Sequence, residues 1–244
     1  MSYLLIPVAP LSRTKSRLRD CFSKELLIEL TIAMFKDLAL KVSNVHCFDQ
    51  TLVYCNNSEI IDLANEYGLV GIKEKLTEPR KSFNDVLFDL NSIAIDEYGA
   101  SRSIFTFLDI ILLSEDNLSE VNDLLDHNDL VVCPAIHSAG ISILGRKPPD
   151  IIPTYFSDPA VPSLVAQLTK SHEKNIKISI YDSFRAGFDI DIKQDLVLAF
   201  EYLKAFRLTD SETYKFLESN LKISLKKKSA ENNREFEIEE DKST

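Results

Sequence analysis

Three cations in five positions, Arg13, Lys15 and Arg17, follow directly on the apolar run Leu4-Leu5-Ile6-Pro7-Val8. An apolar run of that length reads as a buried strand, so the basic segment falls at the strand's carboxyl end, where open α/β sheets take their ligands. Guanidinium and ammonium groups make charge-assisted bonds to phosphate oxygens, which makes polyphosphate the matching guest. The segment has no glycine and no Gly-Lys-Ser/Thr ending, so it is not a P-loop, and side chains rather than bare backbone amides would hold the anion. A second candidate, Asp109, ends the apolar stretch Phe105-Thr106-Phe107-Leu108. An acid in that position needs a cation or metal if it is buried, and otherwise reads as a solvated strand end. Asp189 and Asp191 are two residues apart; in extended chain they share a face and could offer oxygens to a hard divalent cation. Asp191 doubles as a candidate N-cap for a helix starting at Ile192, with Gln194 at the third helical position. Asn84, in Ser82-Phe83-Asn84, opens a helix and could cap it or meet a base edge or ribose. The four histidines show no metal-ligand spacing and read as surface or packing residues, and no nucleophile elbow is present.

These residues must be positioned by alternating strands and helices. Ser23 with Glu25 marks the start of a long helix carrying Leu26, Leu27, Leu30, Ala33, Met34 and Leu38 at helical spacing. Strands are expected at 51–55, 69–72, 103–108, 130–134, 141–144 and 176–181. Helices are expected at 58–64, capped by Ser58, at 82–94 behind a Ser82/Asp85 capping box, and at 115–126, 163–170, 192–206 and 210–220. The five-proline stretch 146–162 is expected to be irregular. Such alternation predicts an α/β fold of three layers, a mostly parallel sheet with helices on both faces. Leu221–Leu225 is expected as an edge strand and a possible route to a homodimer. The chain should divide into a domain at 1–225 and a charged tail at 226–244, too poor in apolar residues to order itself.

The formal net charge of −10 over 244 residues argues against nucleic acid or an anionic membrane surface as partner. A basic pocket in an acidic protein is the more informative for it. Cys21, Cys47, Cys55 and Cys133 have no CxxC spacing and read as reduced thiols; with no secretory leader or membrane-length apolar run, a cytoplasmic location is expected.

Taken in order, Pro7-Val8, Lys15-Ser16-Arg17-Leu18, Ser82-Phe83-Asn84, Asp109, and Tyr181-Asp182-Ser183-Phe184-Arg185-Ala186-Gly187-Phe188-Asp189-Ile190-Asp191 with Asp195-Leu196 resemble the 2-phospho-L-lactate guanylyltransferase family of deazaflavin-coenzyme biosynthesis. The likeness runs from Met1 to about Leu225. It implies a nucleotide-diphospho-sugar transferase (GT-A-like) fold and a magnesium-dependent reaction. In that reaction GTP is joined to a small phosphorylated acid (2-phospho-L-lactate, phosphoenolpyruvate or 3-phosphoglycerate) and pyrophosphate is released. On matching positions the resemblance implies that Pro7, Val8, Lys15, Ser16 and Arg17 meet the nucleotide, Asn84 lies near the nucleoside, and Asp109 with Asp189 or Asp191 holds metal. Ser163 would lie near the acid substrate. Departures from the family pattern are Ala9 after Pro-Val, Asp109-Ile110-Ile111 in place of Asp-Leu-Pro, Ser138-Ala139-Gly140-Ile141 at a Thr-Asn turn, and Val161, Ser163 and Gln167 at a helix start. They leave open a catalytically impaired paralogue acting as a nucleotide-binding or scaffold protein.

Overall fold

The computed structural model describes residues 1–227 and 234–240, with side chains through 221. Seven strands form the central sheet: β1 (Ser2–Pro7), β2 (Gln50–Cys55), β3 (Val70–Lys73), β4 (Arg102–Thr106), β5 (Leu130–Pro134), β6 (Ile141–Arg146) and β7 (Ile178–Ile180). Their spatial order is β3-β2-β1-β4-β6-β5-β7. All neighbours run parallel except β6, which is antiparallel to both β4 and β5. Around the sheet lie α1 (Lys24–Ser43), α2 (Ser58–Glu66), α3 (Phe83–Asp96), α4 (Glu115–Leu124), α5 (Ser163–Glu173), α6 (Phe184–Gly187), α7 (Lys193–Ala205) and α8 (Glu212–Asn220).

The period-2 alternation of strand side chains sorts the core into two layers. Leu4, Ile6, Val53, Cys55, Ile104, Val131 and Cys133 meet Phe35, Leu38 and Ala39 of α1, Ile60 of α2 and Val121 of α4. Tyr3, Leu5, Leu52, Tyr54, Phe105, Leu130 and Val132 meet Leu87, Leu90 and Ala94 of α3 on the other side. Because both faces are covered, β1 is buried along its whole length, which is why its sequence is continuously apolar rather than alternating. The opposite face of α1 (Leu27, Leu30, Met34) packs on Leu196, Ala199 and Leu203 of α7 and Leu217 of α8, with Phe188 and Ile190 in the same cluster. That third layer fixes the Asp189 loop.

Several expected boundaries shift. Asn57, not Ser58, caps α2, its side chain accepting from the amide of Ile60 at 3.1 Å. The Ser82/Asp85 capping box forms as expected. Strand β4 stops at Thr106, so Phe107, Leu108 and Asp109 belong to the loop beyond the sheet. Helix α7 begins at Lys193, and Asp195 in its first turn reaches back over the cap: its Oδ2 takes the N–H of Asp191 and of Ile192, just before the helix, at 2.7 and 2.8 Å. Asp191 is therefore not the cap. Residues 221–225 form the start of β8 (Leu221–Lys227), which pairs not with the main sheet but antiparallel with β9 (Arg234–Glu240). The expected boundary at 225/226 falls inside β8, and β9 lies within the expected tail. The backbone register of this ribbon sets Ile223 opposite Ile238, Leu225 opposite Phe236 and Lys226 opposite Glu235. The expectation for 228–233 and 241–244 lies outside the described residues.

Candidate active site

Because β1 and β4 are adjacent and parallel, the loops that leave their carboxyl ends meet. The loop after β1 makes two single turns of 3-10 helix, Leu11–Arg13 and Ser16–Leu18, with Lys15 between them in the left-handed region at φ 45°. Thr14 is buried and its hydroxyl lies 2.8 Å from that of Thr31 on α1, which pins the turn. Lys15 then points inward. Its Nζ lies 2.6 Å from Asp109 Oδ2 and 3.4 Å from Asp191 Oδ1, and it also donates to the carbonyl of Ile190. Arg17 reaches the same loop from outside, Nη1 to Asp191 Oδ2 at 2.9 Å.

The acids are held as firmly. Phe188 and Ile190, on either side of Asp189, are fully buried, and the amide of Ile190 donates to the carbonyl of Asp109 at 3.2 Å. Gly187 makes this approach possible: a Cβ there would lie 2.6 Å from the carbonyl oxygen of Pro134 at the end of β5. Asp195, 1% exposed, holds the Asp191 backbone with Oδ2 while its Oδ1 lies 2.6 Å from His137 Nδ1. After Asp109 the chain is clamped twice, Lys41 Nζ donating to the carbonyl of Ile111 at 2.7 Å and Arg185 Nε to that of Leu112 at 2.9 Å.

Pro7, Arg13, Lys15, Ser16, Arg17, Asp109, Asp189 and Asp191 line one cavity of about 640 Å³, walled by Phe83, Phe107 and Phe156 and floored by Ile141 and Ser142 of β6. Burial, then the nearby charges of Asp109 and Asp191, push the Asp189 carboxyl up to about 6. Burial works against the Lys15 ammonium, yet Asp109 and Asp191 more than offset it and its pKa is raised. Three carboxylates thus share the cavity with the buried Lys15 ammonium and the guanidinium groups of Arg13 and Arg17, and of the three Asp189 makes no ion pair among the described residues.

Three sequence-predicted residues fall elsewhere. Val8 is a core residue, 2% exposed, and lines not this cavity but the one beside it. Asn84 faces away from the cavity; its Oδ1 accepts the Phe156 amide at 2.8 Å and the Thr154 hydroxyl at 3.3 Å, tying the 154–157 segment to α3. Ser163 opens α5 beside the turn at Gly140, at the β6 end of the cavity but not among the residues lining it. Sequence reasoning gave no site role to Lys41, Arg185, His137 or Asp195, although Asp195 stood in the stretch that carries the resemblance. The first two act on backbone carbonyls, which leave no sequence signature. Asp195 was legible as an acid in the first turn of a helix.

A seven-stranded, mostly parallel sheet with cations and acids gathered at its carboxyl edge defines a nucleotidyltransferase-like α/β protein. Solved structures share this fold: a Desulfovibrio desulfuricans protein described as a nucleotide-diphospho-sugar transferase (TM-score 0.72, 15% identity, 89% of this chain and 94% of that one), and a nucleotidyl transferase from Methanothermobacter (0.59, 13%, 84% and 99%). More specifically, a sequence model described as "Guanylyl transferase CofC like" matches residues 2–239, and the chain belongs to that family. Curated relatives are the 2-phospho-L-lactate guanylyltransferases of Methanocaldococcus vulcanius (27% identical, covering 79% of this chain and 81% of the relative) and Methanothermobacter thermautotrophicus (26%, 84% and 91%). The protein is a nucleotidyltransferase of the guanylyltransferase family. The family match runs past Leu225 and takes in most of β9. Among the described residues no helix is long and apolar enough to cross a membrane.

Proposed function

We propose that the protein transfers GMP from GTP to a small phosphorylated acid (2-phospho-L-lactate, phosphoenolpyruvate or 3-phosphoglycerate), releasing pyrophosphate, in deazaflavin-coenzyme biosynthesis in the cytoplasm. The observation that carries this reading is the convergence of Lys15, Arg17, Asp109, Asp189 and Asp191 on one cavity. Lys15 and Arg17, with Arg13 beside them, neutralise the triphosphate and the charge that builds on it as the α–β phosphoanhydride bond breaks. The acceptor's phosphate oxygen attacks the α-phosphorus in line with the departing pyrophosphate. That oxygen is already ionised near neutral pH, so the chain needs no general base, and catalysis rests on holding the two substrates in line.

Among the described residues no group of three or more His, Cys, Asp or Glu side chains is arranged as a self-sufficient metal site. That fits magnesium, which takes one or two carboxylates and completes its shell with phosphate oxygens and water. Asp109 and Asp189 would hold it, since both line the cavity and Asp189 makes no ion pair among the described residues. Asp191, already engaged with Lys15 and Arg17, is the lesser candidate. When bound, the ion supplies Lewis-acid charge to the phosphates. The acid substrate would lie toward Ser142 and Ser163. A homodimer built on the β8–β9 ribbon belongs to the same proposal and is checked by sedimentation.

The test incubates the protein with magnesium, GTP and each phospho-acid in turn and follows pyrophosphate. Turnover with one acid is expected. No turnover with any, while GTP still raises the melting temperature, would favour a nucleotide-binding protein on the same fold.

A further inference from the structure

Beside the cavity just described lies a second, of about 410 Å³, which shares Pro7, Ala9, Arg13 and Phe83 with it and is otherwise lined by Val8 and Pro10 of the loop after β1, by Val86 of α3 and by the segment between β3 and α3. At its back stands Glu74, the residue that follows β3, 8% exposed, with its amide donating to the carbonyl of Cys55 at 2.9 Å. Among the described residues its carboxylate makes no ion pair and accepts no hydrogen bond. Lys81, on the same cavity wall, gives its ammonium to Asp89 instead. Burial accordingly pushes the Glu74 carboxyl up, with Lys81 and Arg13 partly opposing. Its oxygens face the cavity rather than sealed protein, so a donor that enters the cavity meets an acceptor with no competing protein partner.

We propose that Glu74 reads the base of the nucleotide, its two carboxylate oxygens accepting the N1–H and the 2-amino group of guanine. This inference rests on the triphosphate lying between Lys15 and Arg17. The neighbouring cavity is then where the ribose and base extend, past Arg13. An ionised carboxylate is acceptor-only, and its paired oxygens match two adjacent donors on one edge. Guanine presents that pair. Hypoxanthine lacks the 2-amino group, and adenine, cytosine and uracil each offer a single donor group on the corresponding edge. The carboxylate contributes selectivity because only guanine pairs both of its oxygens at once.

The experiment measures binding of GTP and ITP to the full chain by titration calorimetry with magnesium and without acceptor acid, for the natural protein and for Glu74→Gln. The natural protein is expected to prefer GTP by about 10- to 100-fold, the worth of one charge-assisted hydrogen bond. In Glu74→Gln the amide NH2 would face a guanine donor but could pair with the O6 of hypoxanthine, so the preference should vanish or reverse. An unchanged GTP:ITP ratio in Glu74→Gln, with GTP bound by the natural protein, would overturn the role of Glu74 alone. If the natural protein bound neither nucleotide, the triphosphate reading and this one would fail together. Glu74→Ala, which removes both oxygens without adding a donor, should lose GTP affinity while leaving ITP less affected; the opposite pattern would also count against it.

Discussion

Lys15 Nζ lies 2.6 Å from Asp109 Oδ2, joining residues 94 positions apart in the chain. The pair closes the gap between the loops that leave β1 and β4, and it places one buried positive charge against the acids of the proposed metal site. In Asp109→Asn the amide keeps the volume, and Lys15 keeps Asp191 and the carbonyl of Ile190 as partners. The fold should survive while pyrophosphate release falls at least about 100-fold, as expected for loss of a group that stabilises developing charge. A rate within a few-fold of the natural protein, measured at saturating magnesium, would remove Asp109 from the site.

Asp189 makes an opposite prediction for stability. Its carboxyl is raised from 3.8 to about 6, first by burial and then by Asp109 and Asp191. The folded state therefore binds this proton more tightly than the unfolded state. Stability should fall as pH rises from about 4 to 6, and above that the full cost remains. Asp189→Asn removes the charge, so at pH 7 the variant should be more stable than the natural protein, by about 1–2 kcal/mol after allowance for partial solvent access. The gain should shrink toward pH 4. Urea unfolding at both pH values measures it, and a variant less stable at pH 7 would contradict the proposed strain. Activity should be lost in the same variant, as is common where function holds like charges together.

How much of this was readable in the chain follows from which interactions are local. The Ser82/Asp85 capping box, the buried strand Ser2–Pro7 and the α1 stripe depend on neighbours a few residues away, so spacing revealed them. The convergence of Lys15, Asp109 and Asp191 was reachable because strand ends share an edge. The sequence leaves Asp191 open between a cap of α7 and a site acid, because Asp191 and Asp195 are both acids at plausible positions. Only the tertiary pull of Lys15 and Arg17 on Asp191 decides between them. The strand at 221–225 is legible from its apolar alternation, whereas the pairing of β8 with β9 joins distant residues in a strongly charged segment and leaves no local spacing to read.

Lys41 gives a second pH signature with the reverse sign. Burial lowers its ammonium from 10.5 to about 8, with Asp37 opposing the shift and Arg185 adding to it. Between those values the unfolded chain binds the proton more tightly, so this residue's contribution makes stability rise with pH from about 8 to 10. Lys41→Met should flatten that rise and slow turnover, because the carbonyl it holds belongs to Ile111, two residues beyond Asp109. Persistence of the slope in the variant would assign it to another group.

Asn84 separates a structural from a base-reading role. Its Oδ1 accepts from the Phe156 amide and the Thr154 hydroxyl, and Phe156 in turn packs edge-on against Phe83 and Phe107 in the wall of the main cavity. Asn84→Ala leaves the Phe156 N–H without its partner, which should cost about 1–3 kcal/mol in thermal unfolding. The GTP:ITP binding ratio should stay within about twofold of the natural protein, since no part of the amide faces either cavity that the nucleotide would occupy. A changed ratio at unchanged stability would restore Asn84 as a nucleoside contact and would require the base to lie on the α3 side of Phe156 instead of beside Glu74.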